Sequence, residues 1–227
     1  MAGKTKAAKE RVDKAEAAER VKNIWPILKK TYPDAKIALK SSNPLQLLIA
    51  TILSAQCTDV RVNMVTRDLF KKYRSTEDWA KADLEQIESD IRSTGFYHNK
   101  ALSIKGACTT INDKYGGKVP DTMEQLVELP GVGRKTANVV LGGAFGKPAI
   151  TCDTHVIRLS RRLGLSDNSD AVKLEFDLAE IVPKKNWMQF SNLLIFHGRS
   201  ICKARRPDCP NCPIAKFCPA ANNPALW

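Results

Sequence analysis

The sequence predicts an all-α fold, because nearly every apolar pattern in it has helical spacing. Val21, Ile24, Leu28 and Tyr32, for example, recur at steps of three or four residues, which places them on one face of a helix. No segment alternates apolar and polar residues with the period of two that is typical of a strand. With 227 residues, 43% of them hydrophobic, the chain is long enough to bury a core without disulfides.

The helices are placed in order by their apolar faces and by the residues that start or stop them. Asn43 and Pro44 form a cap and first-turn pair, and the run after them is apolar nearly all round, so this helix should be central and buried. Asp121 and Glu124 have the spacing of a capping box, and glycines end several other helices. The predicted helices span residues 19–32, 45–53, 58–73, 76–80, 83–93, 99–115, 121–129, 135–145, 154–163, 171–182 and 186–197.

The net charge of +12 indicates an anionic partner, with nucleic acid favoured over a membrane surface. No apolar run approaches the ~20 residues that a membrane span needs, and the N-terminus lacks the apolar segment of a signal peptide. We therefore expect a cytoplasmic, nucleoid-associated protein without a membrane segment. Residues 1–18 are rich in Ala, Lys and Glu, and we expect a flexible or helical tail there.

A tight hairpin, Leu129-Pro-Gly-Val-Gly133, joins two predicted helices. Glycine permits positive φ and close approach of a ligand to the backbone, and the N-terminus of the next helix suits a phosphate, although an ordinary helix–helix turn has the same sequence features. Lys135 lies roughly opposite the apolar face of that next helix, so it should be exposed beside the hairpin. Asp153 directly precedes another helix, where an N-cap is the simplest role for its carboxylate.

Four of the seven cysteines fall within 17 residues, whereas the other three are scattered. The spacing Cys-x6-Cys-x2-Cys-x5-Cys predicts a metal centre rather than a disulfide framework. Structural zinc sites usually have two separated cysteine pairs and this loop has only one, but thiolates bind zinc and iron alike. The candidate ligands are Cys202, Cys209, Cys212 and Cys218.

Four motifs in this order resemble endonuclease III, a family of DNA glycosylases in the helix–hairpin–helix superfamily. They are Leu53-Ser-Ala-Gln-Cys-Thr-Asp59, the hairpin continued to Asn138, Asp153-Thr-His155 and the four-cysteine loop. The resemblance covers most of the chain, from about residue 19 to Cys218. It implies two helical domains flanking a DNA-binding cleft: a six-helix, barrel-like domain of residues 37–147, and an iron–sulfur cluster domain of residues 19–36 plus 148–227.

The resemblance also implies roles for individual residues. Lys135 would attack the sugar and form a Schiff base, and Asp153 would stabilise the cation-like sugar or take a proton. The four cysteines would hold one 4Fe–4S cluster. Asp59 and His155 are possible pocket residues, although a helix charge and a local structural role explain them equally well. The implied DNA contacts are Gln56, Phe96, Gly131, Val132, Gly133, Arg134, Lys203, Arg205 and Arg206.

Gln56 and Phe96 would enter the base stack when a damaged base is flipped out. The family often has leucine at the second of these positions, and the alternative for Phe96 is a partly buried core residue. Residues 92–118, 131–162 and 198–218 together hold 16 basic and three acidic residues, so the excess charge is expected where DNA binds.

The expected function is base excision repair by a monomeric enzyme. It would remove oxidised pyrimidines from double-stranded DNA and cut the resulting abasic site on its 3′ side by β-elimination. A pyrimidine-dimer or mismatch glycosylase of the same superfamily is the closest alternative, and Lys135 disfavours the mismatch enzymes, which lack this lysine. A non-catalytic damaged-DNA-binding module and an electron carrier are alternatives of other classes, but the electron carrier leaves the basic surface without a role.

Overall fold

The structure, a computed structural model, describes residues 12–223 and contains no strand in that range, which confirms the all-α prediction. No helix in the described range is long and apolar enough to cross a membrane. Eleven α-helices, α1 to α11 in chain order, follow one another there. Their bounds are Lys14–Thr31, Pro44–Leu53, Asp59–Lys72, Thr76–Lys81, Leu84–Ile91, Tyr97–Tyr115, Met123–Val127, Arg134–Ala144, Thr154–Arg162, Ala171–Ile181 and Trp187–Ser200.

The chain divides into two compact units, one of residues 36–151 and one formed by the segments on either side of it. In the first unit, α2 is the buried centre, and every residue from Leu47 to Leu53 is buried, as its apolar sequence predicts. Helix α6 packs on α2, α4 and α5, and α8 packs on α2 and α7. Because α8 rests on the central helix, the residues at its N-terminus are held on a rigid support.

In the other unit, α1 packs on α10 and α11, and α9 packs on α11. Helix α1 starts at Lys14, earlier than the predicted residue 19, because the Asp13 carboxylate caps it by accepting the N–H groups of Ala15 and Glu16. The predicted tail is therefore helical from Lys14 onward, and residues 1–11 lie outside the described range.

The start of α7 corrects one sequence prediction. Thr122, and not Asp121, is the N-cap: its backbone is extended, and its Oγ1 accepts the N–H of Gln125 at 3.3 Å. Asp121 lies one residue too early to cap this helix, and its carboxylate instead accepts a hydrogen bond from the Lys147 ammonium at 2.7 Å. Thr122 and Gln125 also have capping-box spacing, so the sequence allowed two registers and the fold adopts the second.

Replacement of the N-cap residue should therefore lower the stability of the protein. We expect Thr122→Ala to lower the free energy of unfolding by about 1 kcal/mol, because it removes the acceptor for a first-turn N–H group. Asp121→Asn should cost clearly less, because it weakens only an exposed ion pair. Urea denaturation of both variants measures the difference, and a greater loss for Asp121→Asn would contradict the assignment.

Candidate active site and metal centre

The hairpin between α7 and α8 turns at Gly131, whose φ of 74° lies in the left-handed region. A Cβ at this position would lie 2.4 Å from Cβ of Ser103 in α6, so only glycine fits. The Val132 side chain is buried, and its N–H donates to the Leu129 carbonyl at 3.0 Å. Val132 therefore anchors the hairpin, and its amide is already bonded within the protein.

Gly133 has a different reason to be glycine. Its φ is −89°, and a Cβ added there would meet no atom within 4 Å, so neither the backbone nor a neighbour requires the absence of a side chain. Gly133 is the N-cap of α8 and makes no side-chain cap, while the first N–H groups of any helix lack acceptors inside it. The fold thus leaves room for a ligand to approach the start of this helix.

Lys135 lies on the first turn of α8 and is exposed, whereas residues 137–141 in the next part of the helix are buried. Its ammonium makes no hydrogen bond or ion pair within residues 12–223. Arg134 beside it is half-buried. An exposed amine without an internal partner is available to react with a bound molecule.

Asp153 is the N-cap of α9, as its position predicts. Its Oδ1 accepts the N–H of His155 at 2.8 Å and the N–H of Val156 at 2.9 Å. Both bonds use the same oxygen, so Oδ2 takes no part in capping. The helix start therefore holds a half-buried carboxylate at a fixed point and leaves one of its oxygens available for chemistry.

The two possible pocket residues lie in separate surroundings. The His155 ring packs against Gly198 of α11, its Nδ1 lies 3.1 Å from Nη2 of Arg158, and burial lowers the pKa of the imidazole. Asp59 is the first residue of α3, directly after the Thr58 cap, and is half-buried.

Gln56 and Phe96 share an unusual backbone conformation. Within the described residues they are the two non-glycine positions with positive φ, 53° and 48° respectively. Both side chains are exposed, and that of Phe96 is 62% accessible, so Phe96 is not a core residue. Left-handed backbone at such residues costs energy and tends to occur at functional sites. No sequence signal revealed this strain, because neither residue type favours it.

The four cysteines line one cavity in the unit that contains α9 and α11. Within the described residues, no three side chains of ligand type converge as a single metal ion would require. Burial raises the pKa of the Cys212 thiol to about 11, and the other cysteines of the loop add to this effect, so a cation is needed to stabilise the thiolates. Arg162 donates from Nη1 to Sγ of Cys202 at 3.3 Å.

Two arginines of α9, which sequence reasoning missed, hold the cysteine loop. Arg158 donates to the carbonyls of Gly198 and Cys202, each at 3.0 Å from Nη2. Arg162 is 3% exposed and donates to the carbonyls of Lys203 and Ala204, each at 2.8 Å. The loop's own basic side chains are all exposed; they are Lys203, Arg205, Arg206 and Lys216.

The predicted basic footprint therefore needs a correction. Several of the 16 basic residues counted in it bind protein groups instead of facing solvent freely. Four donate to backbone carbonyls and two pair with carboxylates; they are Lys100, Lys105, Arg158 and Arg162, and Lys114 and Lys147. The sequence locates a charge along the chain but not the direction of its side chain.

Comparison with known proteins agrees with the motifs. Residues 49–184 match the model of the HhH-GPD superfamily of base excision DNA repair proteins. Endonuclease III of Synechocystis sp. is 51% identical over 208 residues, which cover 91% of this chain and 95% of the relative.

Two solved structures have the same fold over nearly their full length. A non-covalent endonuclease III–DNA complex has a TM-score of 0.87 and 45% identity, and the match covers 92% of this chain and 99% of that one. A trapped endonuclease III–DNA covalent intermediate has the same TM-score and identity and covers 92% and 98%. The chain belongs to the endonuclease III family within the HhH-GPD superfamily of base excision DNA repair proteins.

Proposed function

We propose that this protein removes oxidised pyrimidines from double-stranded DNA and cuts the abasic site that remains. As a member of the endonuclease III family it is a DNA glycosylase with abasic-site lyase activity. The observation that carries the proposal is Lys135, an exposed amine without an internal partner directly after a hairpin that leaves a helix N-terminus open. The trapped covalent complex of a relative supports a covalent mechanism.

The chemistry assigned to Lys135 and Asp153 follows from their groups. The deprotonated Lys135 Nζ attacks C1′, the bond from C1′ to the base breaks, and the base leaves with a proton. The C1′–O4′ bond then breaks, O4′ takes up the proton that the amine lost, and the resulting iminium acidifies the C2′ proton. Removal of that proton breaks the C3′–O bond and cuts the strand on its 3′ side. Asp153, held by the start of α9, stabilises the cation-like sugar and takes the proton of the attacking amine.

The DNA contacts are proposed on the same basis. The open N-terminus of α8 binds a phosphate through its backbone N–H groups, and Gly133 allows the phosphate to come close. A base inside a duplex must be flipped out before it can react. The exposed side chains of Gln56 and Phe96 fill the gap that it leaves.

We assign the four-cysteine cavity to one 4Fe–4S cluster. Four thiols line this cavity, and no three ligand-type side chains within the described residues converge on one point, which suits a cluster better than a single zinc ion. Such a cluster would fix the shape of the loop, whose exposed Lys203, Arg205 and Arg206 then bind DNA phosphates. We further propose that residues 36–151, which contain the seven helices α2 to α8, correspond to the predicted six-helix domain, that the other unit is the cluster domain, and that the monomer acts at the nucleoid in the cytoplasm.

Covalent trapping tests the two catalytic assignments. Lys135→Gln should abolish the borohydride-trapped adduct with abasic-site DNA, because it removes the attacking amine. Asp153→Asn keeps a capping side chain but loses the charge, so base removal should slow by on the order of a hundredfold. Lys81→Gln, at an exposed lysine paired with Glu77 on α4, is the control and should trap normally. Trapping by Lys135→Gln would refute the assignment.

Substitutions at the two hairpin glycines should separate an effect on stability from an effect on DNA binding. Gly131→Ala should destabilise the protein by at least 1–2 kcal/mol, because the backbone has positive φ and the methyl group collides with Ser103. Gly133→Ala should change stability by less than about 0.5 kcal/mol and yet weaken binding of abasic-site duplex about tenfold, because the methyl group keeps the phosphate away. Thermal unfolding and fluorescence anisotropy measure the two effects. Unchanged affinity of Gly133→Ala would contradict the phosphate role.

The salt dependence of DNA binding tests the role of the loop. Replacing Lys203, Arg205 and Arg206 by glutamine should reduce the slope of log K against log salt by up to about three, because each phosphate contact contributes roughly 0.9. The same change at the exposed lysines Lys22, Lys29 and Lys30 of α1 is the control and should alter the slope little. Equal effects of both triple variants would show that net charge alone matters.

A further inference from the structure

Lys100 is a buried lysine to which the mechanism gives no role. It lies on the first turn of α6 and is only 4% exposed. Its Nζ donates to the Leu53 carbonyl at 2.8 Å and to the Thr94 carbonyl at 2.9 Å. A buried ammonium is strongly disfavoured unless hydrogen bonds replace its water. Burial lowers the pKa of this amine, and its two acceptors are neutral carbonyls.

The two acceptors are both at the ends of helical segments. Leu53 is the last residue of α2, and Thr94 is the last residue of the 3₁₀ turn Arg92–Thr94. Carbonyls at such ends lack a donor inside their own helix and carry the negative end of its dipole. One ammonium therefore joins the ends of two segments that are far apart in sequence.

Each segment leads directly into one of the two left-handed residues. Leu53 is followed, after two residues, by Gln56, and Thr94 is followed, after Gly95, by Phe96. The Lys100 backbone also takes part, because its N–H donates to the Phe96 carbonyl at 3.1 Å. A single residue thus holds both loops in the strained conformation in which Gln56 and Phe96 are exposed.

We propose that Lys100 is a positioning residue for base flipping, which sets the places of Gln56 and Phe96 relative to each other. The proposal rests on the proposed function, in which these two side chains fill the gap in the duplex. Two side chains that enter one gap must arrive at a fixed separation, since a small misplacement of groups that act together slows a reaction strongly. A bridge between the two loops meets that need before DNA binds.

A double-mutant cycle tests the proposal on a duplex that contains one oxidised pyrimidine, with single-turnover base removal as the rate. Lys100→Met keeps the length of the side chain and removes the donors, so the rate should fall by on the order of a hundredfold. In the Gln56→Ala/Phe96→Ala background, which should itself be slow, Lys100→Met should change the rate by less than about twofold. Lys100→Arg, which keeps a cationic donor, should recover much of the loss.

A matched lysine controls for stability. Lys105 lies on the same helix and donates to the carbonyls of Ala80 and Ala82 at the end of α4, where no left-handed loop follows. Lys105→Met should lower the melting temperature to a similar extent while leaving the rate within about twofold of wild type. If Lys100→Met is unfolded at the assay temperature, Lys100→Gln takes its place in the cycle, because its amide can still reach one carbonyl.

Three results would overturn the proposal: an equal effect of Lys100→Met in both backgrounds, an equal loss of rate in Lys105→Met, or an unchanged rate in Gln56→Ala/Phe96→Ala. Borohydride trapping of the wild type on abasic-site DNA separates this failure from that of the proposed function. A wild type that traps normally while the cycle is additive would refute only the role of Lys100. A wild type that neither traps nor removes the base would refute the proposed function itself.

Discussion

Backbone groups at the ends of helices have no partner inside the helix, and this constraint organises the functional parts of the protein. The sides of the helices pack against one another, so the backbone groups at their ends are the ones available to fix side chains or bind ligands. One carboxylate oxygen of Asp153 accepts hydrogen bonds from the first N–H groups of α9, which fixes the position of the side chain. Gly133 leaves the corresponding groups of α8 without a side-chain cap. The N–H groups at a helix N-terminus are thus capped in α9, where they fix a side chain, and left without a side-chain cap in α8, where a ligand can bind.

Positive charge serves two purposes in this molecule. Arg158 and Arg162 direct their guanidinium groups at carbonyls of the cysteine loop, where several donors in a rigid plane can satisfy several acceptors at once. The basic side chains of the loop itself are exposed. An excess of basic residues in one stretch of sequence therefore includes arginines that hold the loop in place through its carbonyls, as well as basic side chains that are exposed on the surface.

Local signals explain what could be predicted from the sequence. The exposed position of Lys135 follows from the period of one helix, and the Asp153 cap follows from one residue at the start of another. The register of the α7 cap was ambiguous because two adjacent residues can each cap a helix. The bonds from Lys100 to Leu53 and from Arg162 to Lys203 span 47 and 41 residues, and no periodicity within one element encodes them.

The buried Lys100 ammonium also has a consequence for the motions of the protein. If the loop of Gln56 or the loop of Phe96 opened alone, a charged group would stay inside the core with one of its two acceptors gone. The energy of opening one loop thus depends on the state of the other, and the two should fluctuate as one cooperative unit, which amide hydrogen exchange would register as a shared opening energy. The two short segments, although distant in sequence, would then open and close together.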